Sequence, residues 1–333
     1  MINLPRSFFE PRFWRLLIQW LFFAWIVIIG VQFGLFVHHF VTGGAAPFYS
    51  RPPGVEGFLP LGALTSLRYT LFSGQFDPLH PAALVLFVTF VAMSLLTKKS
   101  FCSWLCPVGT LSELLWKIGQ RWLGGTYQIW RWLDITLRSG KYLLLLFFVK
   151  LLFFDMPAQA LKHFVSSPYW AMSDVKMLHF FTDISTTTLL VIAVLSVLSL
   201  FYKNFWCRYL CPYGALLGLV SMVSPFKIRR NSNLCIQCQH CSQACPSFLP
   251  VAQKKTIRSP ECTACLSCVT ACNDNALQMT LPGVKKTLPR WVFPVLVVGL
   301  YVTGVAVGMV SGHWQTSLSY DDYMYLVPRL KFF

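Results

Sequence analysis

Charge is what this chain lacks. Only 12% of its 333 residues are Asp, Glu, Lys or Arg. A soluble domain carries about 25%, so composition alone excludes a water-soluble globular protein. A cleavable signal peptide is also missing. The first apolar run, Trp14–Phe40, is far longer than a signal-peptide core and has no small-residue cleavage pattern. No regular haem-binding pattern occurs either, so haem is not expected.

What is present is apolar: 55% hydrophobic and 16% aromatic residues. A transmembrane helix needs about 20 residues, and five stretches qualify once their flanks are included. They are Trp14–Phe40, Pro81–Leu96, Tyr142–Met156, Ser185–Phe201 and Trp291–Ser311. Phe58–Leu71, interrupted by Pro60, Gly62 and Arg68, reads as an interfacial or re-entrant piece. Trp and Tyr suit the aromatic belts of the membrane interface. Lys150 lies inside the third span, where a charge needs a partner, and Asp155 is near.

Basic residues orient the spans. With the N-terminus cytoplasmic, twenty-one of the 28 Lys and Arg lie inside and six outside. The C-terminus is then outside. The formal charge of +16 is mostly membrane topology, and no nucleic-acid partner is implied. The same topology puts all 12 cysteines in the reducing cytoplasm, which argues against disulfides and for metal or redox chemistry.

Two halves share one plan. Each has a span, an outside loop and a second span, then a Cys-x-x-x-Cys-Pro motif and an amphipathic run. The motifs are Cys102–Pro107 and Cys207–Pro212, 105 residues apart, followed by Leu111–Leu123 and Leu216–Val223. The expected fold is an all-α polytopic membrane protein with a cytoplasmic ferredoxin insert. Residues 1–226 form the membrane domain, with repeats over 13–123 and 138–226. Residues 227–286 form the insert, and 287–333 the fifth span and a periplasmic tail.

The insert carries the strongest signal. Cys235-x-x-Cys238-x-x-Cys241-x-x-x-Cys245-Pro246 is a bacterial two-cluster ferredoxin run. Cys262-x-x-Cys265-x-x-Cys268-x-x-x-Cys272 repeats it, with Asn273 in place of proline. In such runs three thiolates curl around one cubane and the fourth reaches the other cluster. Cys235, Cys238, Cys241 and Cys272 are therefore expected to hold one 4Fe–4S cluster. Cys262, Cys265, Cys268 and Cys245 are expected to hold the second. Zinc prefers separated pairs, not two unbroken runs of four. Asn273 is expected to loosen one turn without removing a ligand, and His240 reads as a neighbour of the first cluster.

In this combination the chain resembles the NapH-type membrane quinol dehydrogenases of periplasmic nitrate respiration. It also resembles the C-terminal membrane half of NosR from nitrous oxide respiration, and the related polyferredoxins. The resemblance rests on RPPGVEGFLPLGAL (Arg51–Leu64), KKSFCSWLCPVGTLSE (Lys98–Glu113), WCRYLCPYGALLG (Trp206–Gly218) and both ferredoxin runs. No flavin-binding domain precedes these motifs, and the fifth span adds one to the four usual for NapH-type proteins. The resemblance implies a bacterial inner-membrane protein of anaerobic respiration. It would pass electrons from quinol towards a periplasmic or membrane-bound iron–sulfur or cytochrome subunit of a reductase.

The Cys-x-x-x-Cys-Pro pairs leave three readings open. If Phe101–Cys106 continues the second span as helix, Cys102 and Cys106 share one face. Proline then bends the chain into a surface helix. The four cysteines are packing residues at these bends, or redox or copper-handling thiols of a maturation factor, or joint ligands of a third iron–sulfur centre. Six of the seven histidines map outside or to its boundary. Quinol oxidation needs nearby bases, and His38, His39, His80, Arg51 and Glu56 are the candidates for that pocket. Arg51–Phe58 is also turn-rich enough to be a structural loop. The rival location for quinol lies beside the cysteine pairs.

Overall fold

The computed structural model describes residues 10–125, 127–281, 289 and 291–332. The expected junction at 286/287 lies outside them. The first helix is α1 (Pro11–Val41), 31 residues long and predominantly apolar. A short 3-10 turn (Pro53–Phe58) leads to α2 (Pro60–Ser73), with Pro60 at its first position and Gly74 closing it at φ 71°. Then come α3 (Pro81–Thr97), α4 (Phe101–Trp104), α5 (Pro107–Leu123) and α6 (Arg131–Lys150). A π turn over Leu151–Asp155 extends α6. It is followed by α7 (Ala158–Val165), α8 (Pro168–Ala171), α9 (Ser173–Thr182) and α10 (Thr186–Phe201).

The second motif lies on α11 (Phe205–Tyr209) and α12 (Pro212–Val220). The ferredoxin segment contributes β1 (Lys227–Arg230), α13 (His240–Gln243), β2 (Thr256–Ile257), α14 (Ser267–Thr270) and β3 (Leu277–Thr280). Its strands form one antiparallel sheet in the order β2-β1-β3, with Ile228 opposite both Ile257 and Met279. Finally α15 (Val292–Val310) precedes α16 (Tyr320–Leu326), whose start is fixed by a reciprocal cap between Ser319 and Asp322.

All five expected spans are helical, four within a few residues of the expected bounds, whereas α6 begins well before the expected Tyr142, at Arg131. Only α1 and α15 are long and apolar enough to cross a membrane by themselves. Two more candidates are bent pairs. Arg131–Asp155 turns by 104° into α7, and α9 turns by 74° into α10. Helix α3 has 17 residues and stops where Lys98 enters the left-handed region at φ 59°. By length and composition the membrane helices therefore number two to four.

The chain packs as two compact units. One comprises Met1–Phe23, Phe90–Leu145 and Ala193–Val302, the other Ala24–Thr89, Leu146–Ile192 and Thr303–Phe333. The divisions fall inside α1, α3, α6, α10 and α15, and the ferredoxin segment is not set off by itself. In the first unit α5 and α10 touch backbone to backbone. A Cβ on Gly119 would overlap the Leu200 carbonyl, so a residue without one is required there. The second unit has an aromatic and aliphatic core built on Phe33, Phe36, Val37 and Phe40 of α1 with Met172, Val175 and Tyr323.

Candidate metal centres

The two ferredoxin runs fold alike, position for position. Gln237, Gln239 and Phe248 take positive φ (56°, 63° and 50°), and so do Ala264, Leu266 and Asn275 (51°, 58° and 50°). Each set stands at the same offsets from the first cysteine of its run. These left-handed steps curl the backbone, which is how a short loop wraps an anionic group. Asn273 does not loosen its turn as expected. The Phe248 amide donates to the Cys245 carbonyl at 3.2 Å, and the Asn275 amide to that of Cys272 at 3.3 Å.

Each run borders a cavity. One has about 330 Å³ of empty space and is lined by Cys235, Cys238, Cys241 and Cys272. The other is of equal size and is lined by Cys245, Cys262, Cys265 and Cys268. The fourth cysteine of each run thus lines the same cavity as the first three of the other. His240 opens α13 and lines neither cavity.

The cavities differ in surroundings. Cys245, Cys262 and Cys268 are buried, and burial raises all three thiols, Cys245 to about 12. Cys238 is exposed, and Cys235 is lowered by the Gln237 amide and then by Arg230. Lys98 is fully buried and its Nζ has no hydrogen-bond partner. Its charge favours the Cys262 thiolate. A buried ammonium without a counter-ion is costly, and the negative charge of a thiolate-bound cluster would supply one. The residues present therefore fit iron–sulfur clusters.

The Cys-x-x-x-Cys-Pro corners depart from expectation in one respect. The motif does not continue α3 as helix. The chain breaks at Lys98, and Phe101–Trp104 form a separate turn; in the second half the break is at Asn204, φ 53°. The expected bend is present in both. Cys106 (ψ 119°) and Cys211 (ψ 104°) are extended caps, and Pro107 and Pro212 begin the next helices. Proline fits there because a first-turn amide has no helical acceptor.

The four motif cysteines are near enough for the charge of one to be felt at another. Cys207 is influenced by Cys211, Cys106 and Cys102, and Cys106 by Cys102 and Cys211. Burial raises Cys102 to about 11 and Cys106 to about 12, so as free thiols they are protonated and weakly nucleophilic at neutral pH. Lys99, only 4% exposed, stands among them, with its charge felt at Cys102, Cys211 and Cys207.

Both corners dock on the loops of the buried cavity. From the first, Ser103 Oγ donates to the Thr263 carbonyl at 2.6 Å and Trp104 Nε1 to that of Ala264 at 3.1 Å. From the second, Arg208 Nη1 donates to the Ser247 carbonyl at 2.8 Å. Glu261, adjacent to Cys262, accepts from Lys141 Nζ on both oxygens at 2.7 Å. Sequence reasoning missed Lys98, Lys99, Glu261 and Arg208. One signal was available: a lysine four residues before each motif, Lys98 and Lys203.

The second unit gathers three of the five proton-site candidates and separates two. Arg51 donates from Nε and Nη2 to Asp174 Oδ2 and from Nη2 to Glu56 Oε1. Glu56 Oε2 accepts from the Ala83 amide at 2.9 Å, and His80 Nδ1 lies 3.4 Å from Glu56 Oε1. His80 Nε2 faces the Trp170 carbonyl at 2.7 Å. A carbonyl only accepts, so Nε2 bears hydrogen, with Ser173 Oγ also 2.9 Å from it, while Nδ1 makes no hydrogen bond. Burial lowers the His80 pKa, but Glu56, Asp174 and the Trp170 carbonyl together raise it above the ordinary value. His39 turns instead to the Ala46 carbonyl and Tyr320, and His38 is exposed. Asp174 was not anticipated, because it is 123 residues from Arg51. Lys150 pairs with Asp155 at 2.9 Å as expected.

Comparisons with known proteins agree with this geometry. A family model described as a 4Fe-4S binding domain matches twice, over residues 79–125 and 184–231, each match containing one Cys-x-x-x-Cys-Pro motif. A 4Fe-4S dicluster domain matches residues 227–273. The chain is 44% identical to YccM of Escherichia coli K12, over 95% of this chain and 90% of that one. YccM's name carries a provisional assignment to electron transport. The regulatory protein NosR of Pseudomonas aeruginosa is 30% identical over 66% of this chain and 31% of its own length. The ferredoxin-type protein NapH of E. coli K12 is 25% identical over 57% and 64%. No solved structure matches.

Proposed function

Since the chain belongs to the NapH- and NosR-type family of polyferredoxins, we propose that it exchanges electrons between the quinol pool and a respiratory reductase. That it is an electron-transport protein with 4Fe-4S domains is the coarser statement on which this rests. Cys235, Cys238, Cys241 and Cys272 hold one cluster in this reading, and Cys262, Cys265, Cys268 and Cys245 hold the other. Cys102, Cys106, Cys207 and Cys211 hold a third centre. When bound, such clusters carry single electrons at potentials set by charge, hydrogen bonds and exposure.

One observation carries the reading. The residues between the motif cysteines grip the loop that follows Cys262, with Ser103 on Thr263 and Trp104 on Ala264. This joins the four-thiol site to the buried ferredoxin cavity through a few rigid bonds. Oxidising one quinol releases two electrons and two protons. His80 and Glu56 are proposed to take up protons, while Arg51 holds Glu56 in place. The basic-residue asymmetry supports a cytoplasmic N-terminus and cysteine segment, and a periplasmic C-terminus.

The test is anaerobic purification with iron analysis and a quinol-reduction assay, in wild type and in a Cys102, Cys106, Cys207 and Cys211 to Ser variant. We expect about twelve irons in the wild type and about eight in the variant, with quinol-driven reduction lost. Eight irons in both removes the third centre. Copper binding that depends on the four motif cysteines, without reaction with quinol, would instead support the maturation-factor reading. Under the proposed proton site, His80→Asn and Glu56→Gln abolish quinol-driven reduction and leave dithionite reduction intact. Unchanged quinol kinetics would move the pocket to the cysteine side.

A further inference from the structure

The two ferredoxin cavities have the same size and the same backbone, yet very different charges around them. Several cations stand near the buried one, Lys227 among them, whose charge also reaches Cys262. Lys98 is fully buried, its Nζ has no hydrogen-bond partner, and its charge reaches Cys262. Lys203, 6% exposed, donates to the Gln243 carbonyl at 3.4 Å and lies 4.9 Å from the centre of the Phe248 ring. Those two contacts flank Cys245. Arg15, whose charge is felt at Cys265, is already paired with Glu113 and adds little. The nearby anions are already matched: Glu261 by Lys141, and Glu113 by Arg15 and Lys117.

The other cavity has one cation, Arg230, at Cys235, opposed there by Asp274. Cys238 is open to solvent, where charges are screened. Lys98 and Lys203 occupy the same place in the repeat, four residues before each motif. The two halves thus each place one buried lysine near a cysteine of the same ferredoxin cavity, Lys98 near Cys262 and Lys203 near Cys245.

We propose that Lys98 and Lys203 make the cluster site of Cys245, Cys262, Cys265 and Cys268 the higher-potential member of the pair, so that an electron rests there, beside the motif corners. The inference depends on the two-cluster reading above. Reduction adds one negative charge to a site that already holds four thiolates. Burial alone opposes that charge, whereas buried cations favour it. Desolvation outweighs Lys98 at the free Cys262 thiol, so the bias proposed here needs both lysines acting on the cluster's own charge at low effective dielectric. Each lysine is expected to bias the reduced-to-oxidised ratio by about tenfold, about 59 mV for one electron.

The experiment is a redox titration of the purified full chain, followed by electron paramagnetic resonance with iron counted in every sample. Two separable 4Fe–4S signals are expected. Lys98→Met should lower the midpoint of the higher one by about 59 mV, and Lys203→Met should do likewise. Lys98→Arg should keep it, and Arg230→Gln should move only the lower signal. Should Lys98→Met fail to assemble, Lys203→Met carries the same test from the other repeat. Unmoved midpoints in both lysine variants, or equal displacement of both signals, overturn the proposal and leave the two-cluster reading intact. Absence of two 4Fe–4S signals from the wild type overturns that reading itself.

Discussion

At the first cysteine corner the chain enters the left-handed region at Lys98, and at the second it does so at Asn204, one position later in the repeat. From there the two run alike. The Cys106 amide donates to the Phe101 carbonyl and the Cys211 amide to that of Trp206, at 2.9 and 3.1 Å. What supports them differs. Behind the first corner, Gln19 Nε2 donates to the Ser103 carbonyl, and Arg15 forms a two-pronged pair with Glu113. Behind the second, Asp134 of α6 accepts from Arg208 Nε and Nη2 and from Tyr209 Oη. The shared part is the backbone that presents thiols. The supports are built separately in each half, so each corner should fail by its own route.

The largest effect is expected at the second corner. Asp134→Ala strands Arg208, whose side chain is only 6% exposed. Breaking a buried pair by removing one partner costs about 3–5 kcal/mol. The temperature at which iron–sulfur absorbance is lost in detergent should fall sharply. If Asp134→Ala leaves that temperature unchanged, the second corner is not supported this way.

At the first corner the support should depend on acidity. Burial pushes Glu113 up, but Arg15 and Lys117 outweigh it and hold its carboxyl at about 2, against 4.5 when unpaired. A depressed carboxylate stabilises the fold above its unfolded pKa and loses that contribution as pH falls through the folded one. Glu113 should therefore contribute about 3 kcal/mol above pH 4.5, vanishing towards pH 2. Lys117 is 35% exposed, and screening trims its share. Urea titrations across that window should show the acid limb in wild type and a reduced limb in Glu113→Gln.

These supports mark the limit of what sequence reveals. Which cysteines share a cavity was legible because the spacing within a run sets which thiols one loop can turn inward, and the fourth then falls to the other run. The corner bends were legible because proline suits a first helical turn. The break at Lys98 was not, since neither glycine nor asparagine marks it. Arg51 with Asp174, and Lys141 with Glu261, lie more than a hundred residues apart, so tertiary packing alone decides such pairs. The bends beside α7 and α9 escaped a count of apolar residues for the same reason.

A smaller effect separates the corners at one matched glycine. A Cβ on Gly109 would overlap the Cys102 carbonyl, a backbone atom that cannot yield without moving the corner. The matching Cβ on Gly214 would meet Lys99 Nζ at 3.3 Å, the end of a flexible side chain. Gly109→Ala should cost about 1–3 kcal/mol and lower iron content. Gly214→Ala should be nearly neutral in stability. Equal losses would mean that the two corners are held more alike than their contacts indicate.

The smallest effect concerns the turns that close the two ferredoxin runs. Pro246 and Asn273 hold the same place after the fourth cysteine, and the turns that follow match to within 0.1 Å in hydrogen-bond length, 3.2 against 3.3 Å. Proline at a compatible position restricts the unfolded chain and stabilises by about 0.4–1 kcal/mol. Asn273→Pro should therefore raise the temperature of absorbance loss slightly and leave iron content unchanged. A fall in either would show that the second run needs a conformation at residue 273 that proline cannot take. The close match of the two turns would then not extend to the residue between them.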